Sequence, residues 1–104
     1  MENELTLKEI RADLREIRYY FSRLKVFKAA EKDIGLSWIT DKVNSYNEAI
    51  RRAPPILYDI YNGLYIRNYT QQALSVEMGY TIEYINRLHK QILLFLQKNV
   101  KKEQ

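Results

Sequence analysis

The chain has 104 residues, of which 46% are hydrophobic and 29% charged, and its formal net charge is +4. That length fits one domain with a limited core, and the mix excludes wholesale disorder. Cysteine is absent, which excludes disulfides and thiolate-held metals and suits a reducing, cytoplasmic setting.

Residues 1–4 carry Glu2 and Glu4 in place of a basic then apolar leader, so no secretory signal is expected. The run from Ile92 to Leu96 is far too short to span a bilayer, so no membrane role is expected. Three glycines and two prolines are too few for a many-stranded β fold. The expectation is an all-α chain forming a single domain over 1–104, with an N-terminal helical part over 1–53 and a second part over 54–104.

Thr6 followed by Glu9 forms a capping-box pattern at the start of the first helix. Leu7, Ile10, Leu14, Ile17, Phe21 and Leu24 recur at spacings of three and four, which predicts one long helix to about Asp33, with Gly35 as its end signal. Arg11, Arg15 and Arg18 lie on one flank of this stripe and Glu9, Asp13 and Glu16 on another, as on a solvated, salt-bridged surface. A second helix is expected from near Thr40 or Asp41, with Val43, Tyr46 and Ile50 turned inward, so that a helical hairpin follows the long N-terminal helix. Pro54 and Pro55 end it by Ala53 and start a third helix with Leu57, Ile60, Tyr61 and Leu64 as its stripe. Asn68 suits the left-handed conformation that closes a helix.

The most informative stretch is Tyr69 to Leu96. Thr70 caps a short helix from Gln71 to Met78, in which Leu74 and Met78 share a face and Ser75 leaves room for a crossing helix. Gly79 permits a sharp turn, and Tyr80 is expected to place its ring in the small core between the helices. Thr81 caps a longer helix, at about 82–97, with Ile85, Leu88 and Ile92 inward. Two helices joined by a glycine-containing turn form a helix-turn-helix, the second helix of which enters the major groove of DNA.

The segment LYIRNYTQQALSVEMGYTIEYINRLHKQIL, from Leu64 to Leu93, resembles region four of bacterial sigma factors. It is more similar still to the ArpU and RinA type of small regulators carried by phages and other mobile elements. Tyr65, Asn68, Thr70, Gly79, Thr81 and the pair His89 and Lys90 carry the resemblance, whereas Ala73 and Ile92 depart from the usual pattern. The resemblance implies promoter binding and control of transcription, with RNA polymerase as a further partner.

With Ile85, Leu88 and Ile92 inward, a helix turning about 100° per residue presents Glu83, Asn86, Arg87 and Lys90 outward, with Tyr84 and His89 on the flanks. Arg87 suits the acceptors of guanine, Asn86 the donor and acceptor of adenine, and Lys90 a phosphate. Glu83 can orient Arg87 or accept from cytosine. The helix starts at Thr81 and at Gln71 and Gln72 can each take a phosphate. His89, the single histidine, lacks partners for a metal site or a catalytic dyad, so no metal, no cofactor and no enzymatic activity are expected. Leu93, Leu94, Phe95 and Leu96 point all around the helix, which predicts a homodimer through Leu94 and Phe95. The competing expectations are a helical inhibitor or adaptor that binds a protein, and a DNA-packaging adaptor of the small-terminase type.

Overall fold

The computed structural model describes residues 4–34 and 37–100, the side chains of 32–37 excepted. Among these residues the chain is all-α, with six α-helices and one π-helical turn. They are α1 (Leu7–Ser22), α2 (Leu24–Ile34), α3 (Ser37–Ile50), α4 (Pro55–Tyr61) with the π turn Asn62–Ile66, α5 (Gln71–Met78) and α6 (Ile82–Asn99). The capping box at the start of α1 is complete. The Glu9 amide donates to Thr6 Oγ1 at 3.1 Å and the Thr6 amide to Glu9 Oε1 at 2.9 Å.

The expected long first helix is broken at Arg23, where φ is −123° and ψ is 37°. The Arg23 amide is shared between the carbonyls of Tyr19 and Tyr20, a tightening typical of a helix end. Side-chain packing favours the break. Phe27 folds back onto the aromatic run, with its ring 5.9 Å from Tyr19 and 5.2 Å from Tyr20. In a straight helix, residues seven apart stand about 10 Å apart along the axis. The expected end signal Gly35 lies outside the described residues. Helix α3 starts at Ser37, so Trp38 and Ile39 belong to its first turn and do not precede it.

Helix α6 is the axis of the core and packs on α1, α3, α4 and α5. Its residues Ile85, Leu88, Ile92, Leu93 and Leu96 are buried with Ile10, Leu14 and Ile17 of α1 and with Val43, Tyr46 and Ile50 of α3. Gln97 Nε2 donates to the Leu5 carbonyl at 3.0 Å, tying the end of α6 to the start of α1. On the flank of α1, Lys42 joins Asp13 at 3.0 Å and Glu16 at 2.7 Å. The Tyr46 hydroxyl donates to Asp13 at 2.6 Å, and burial and Asp13 raise its pKa far above that of an ordinary tyrosine. Burial opposes the Lys42 charge, but bonds from Glu16 and Asp13 outweigh it and raise the pKa. No helix among the described residues is long and apolar enough to cross a membrane.

The candidate nucleic-acid interface

Helix α5 is positioned from below. Gly63 in the π turn lies so close to Leu74 that a Cβ on it would stand 2.6 Å from a Leu74 methyl. Asn68 adopts the expected left-handed conformation, with φ 63°. Arg18 of α1 holds this turn: its guanidinium donates to the carbonyls of Leu64 at 3.0 Å, Tyr69 at 3.0 Å and Asn68 at 3.1 Å. By its spacing in the sequence Arg18 is expected on a solvated flank. The structure instead makes it a clamp on the chain leading into α5, and no local spacing links residue 18 to residues 64–69.

Thr70 caps α5, accepting from the Ala73 amide at 3.0 Å, and Leu74 and Ser75 bury its inner face. The helix ends in a Schellman motif, with Gly79 left-handed at φ 73°, its amide on the Val76 carbonyl and the Tyr80 amide on the Ser75 carbonyl. Thr81 then caps α6, accepting from the Tyr84 amide at 3.1 Å. Tyr80 does not enter the core as expected. It is 37% exposed, and its ring meets Tyr84 edge-on at 5.0 Å. Leu74 and Ser75 are the buried residues of α5. The Arg87 guanidinium lies 5.7 Å from the Tyr84 ring centre, so Tyr80, Tyr84 and Arg87 form a line along the outer face. Spacings of four and three hold this signal in the sequence.

Glu83, Asn86, Arg87 and Lys90 are all exposed along α6, as the helical projection requires. Tyr84 is half-buried. At the start of α5, Gln71 is half-buried and Gln72 exposed, and Thr81 at the start of α6 is exposed. The face carries charges of both signs: Arg67 lies 4.6 Å from the Tyr69 ring centre and 4.0 Å from Glu77. Leu94 is half exposed and Phe95 half-buried. Leu94 stands seven residues after Arg87, nearly two full turns, and so continues the same outer line.

His89 is turned away from that line. It is half-buried, stacks on Tyr65 and hydrogen-bonds the Tyr65 hydroxyl through Nε2. Burial and then the Arg11 charge lower its pKa, so the ring is neutral at neutral pH. Burial pushes the Tyr65 hydroxyl up to about 12. Nε2 of His89 is therefore engaged inside the fold.

Comparison of the chain with protein-family models, with curated proteins and with solved structures returned no match. The geometry of α5, the Gly79 turn and α6 therefore stands on its own. Over its first half α6 presents Asn86, Arg87 and Lys90 to solvent, while Ile85, Leu88 and Ile92 fix its other side in the core.

Proposed function

We propose that this chain is a sequence-specific DNA-binding regulator of transcription, of the kind carried by phages and mobile elements, which lays α6 in the major groove. The observation that carries the reading is the exposed row Glu83, Asn86, Arg87 and Lys90 on a helix whose other side is anchored in the core. Helices α5 and α6 then act as a helix-turn-helix, with Arg87 and Asn86 reading base edges and Lys90 holding a phosphate. Tyr84 and Tyr80 support Arg87 from one side. Gln71, Gln72 and Thr81 stand at helix starts, where main-chain amides attract phosphate. RNA polymerase is a second partner in this reading, as the resemblance to region four implies. Two copies bound together would present two such helices and multiply a modest affinity.

A second reading, a helical protein that binds and blocks another protein, draws on one observation: Trp38 and Tyr19 stand exposed on the N-terminal helices. The two readings part in a gel shift with duplex DNA flanking the chain's own gene. Retardation of one segment, competed by itself and not by unrelated duplex, supports the regulator. Absence of retardation for every segment at low salt supports the interaction protein.

A further inference from the structure

Helix α6 opens on an isoleucine that the fold does not use. Ile82 is the first residue of α6 and is 38% exposed. The buried stripe of the helix begins nearly one turn later, at Ile85. A first helical position favours proline or an acidic side chain, and a β-branched side chain adds nothing to helix formation. Capping does not call for it either, because the Thr81 hydroxyl already accepts from the Tyr84 amide at 3.1 Å. Neither packing nor helix formation therefore explains isoleucine at this place.

Its neighbours identify what it touches. Residues four apart form a ridge along an α-helix. Ile82, Asn86 and Lys90 make one such ridge and Glu83 and Arg87 the next, all of them exposed. Ile82 is thus an apolar group at the head of a polar row. Base-pair edges in the major groove present the matching pattern: hydrogen-bond donors and acceptors, with one apolar group, the C5 methyl of thymine, at each A·T pair. The start of a recognition helix is also the end that reaches base edges. The spacing fits as well. From Ile82 to Asn86 the helix advances about 6 Å, and successive nucleotides of a strand rise about 3.4 Å, so the two side chains meet pairs one or two steps apart.

We propose that Ile82 is a specificity-determining residue that packs on the C5 methyl of a thymine, one or two base pairs from the pair met by Asn86. The inference rests on the reading of α6 as a DNA-reading helix, and adds to it the base that the start of the helix selects. Leu94, which is 50% exposed, continues the ridge of Ile82, Asn86 and Lys90. It stands about 18 Å further along the axis, far from the end that reaches base edges, and so serves as the control.

Uracil pairs as thymine does and lacks only the C5 methyl, so replacing thymines one at a time isolates the contact. The full chain first selects its preferred duplex from a random library, and anisotropy then measures each uracil-substituted form. At one position uracil weakens binding by the wild type about fourfold, the effect of one buried methyl. Ile82→Ala, with an unchanged far-ultraviolet spectrum, binds the thymine and uracil forms of that position alike. Leu94→Ala keeps the fourfold difference. Equal affinity of the wild type for thymine and uracil at every position overturns the inference and leaves the regulator standing, because binding itself is retained; this arm needs no variant. A preferred site without thymine overturns it in the same way. So does a fourfold loss that persists in Ile82→Ala, which assigns the methyl contact to another side chain. Failure to bind any duplex at low salt overturns the DNA-binding reading itself, and the inference with it.

Discussion

Replacing Arg18 by methionine keeps an unbranched apolar stem and deletes the guanidinium. Three main-chain carbonyls, those of Leu64, Asn68 and Tyr69, then lose their donor in a partly buried turn. A hydrogen bond to a charged group contributes about 1.5–3 kcal/mol. These three share one guanidinium and are not additive, so the loss is about 2–4 kcal/mol, a large part of the stability of a domain this small. At about 4–8 °C per kcal/mol, Tm falls by roughly 10–25 °C. Arg18→Lys, whose ammonium cannot span the three carbonyls as a planar fork does, falls between. Thermal melts followed by far-ultraviolet circular dichroism measure both variants. A change below about 1 kcal/mol for Arg18→Met would show that solvent satisfies the turn and that the clamp is incidental.

Two glycines separate two kinds of cost. Gly63→Ala forces a Cβ against buried Leu74 and is expected to cost about 1–3 kcal/mol, whereas Gly79→Ala meets no atom within 4 Å and costs only the left-handed backbone preference, about 1 kcal/mol; denaturant midpoints rank them. The lowered pKa of His89 favours the neutral ring in the folded state, so its contribution is fully present above the unfolded value of about 6.5 and is lost as pH falls below it. Melts across that range show the slope, and His89→Gln flattens it; an unchanged slope would assign it to other groups. Arg87→Ala is expected to cost about 1–3 kcal/mol on its preferred DNA and to relax one base position, while Lys90→Ala weakens all duplexes alike. Equal, sequence-blind losses from both would show that Arg87 reads no base.

Local signals in the sequence are faithful where a residue's partner is near in the chain. Thr6, Thr70 and Thr81 cap the helices that follow them, Gly79 and Asn68 take positive φ, and Pro55 starts α4. The inward stripe of α6 and its exposed outer row follow from the same period. What periodicity does not carry is tertiary. The break at Arg23 interrupts a stripe that reads as continuous, because Phe27 packs back on Tyr19 and Tyr20. The clamp from Arg18 joins positions about 50 apart. Tyr80 reads as a core residue by its place after Gly79, yet it is 37% exposed and its ring meets Tyr84 on the outer face. The tyrosine-to-histidine contact of Tyr65 and His89 likewise joins elements with no shared local pattern.

The central claim is that α6 binds duplex DNA through a small set of cations. Anisotropy of a labelled duplex, drawn from the flanking DNA of the gene and titrated with the full chain at several salt concentrations, tests it most directly. Arg87, Lys90 and Lys98, with Lys101 and Lys102 beyond the described residues, are the cations in or after α6. With each phosphate contact adding about 0.9 to the slope of log affinity against log salt, the account predicts a slope of about three to five. No binding at low salt, or a slope near zero, would contradict it.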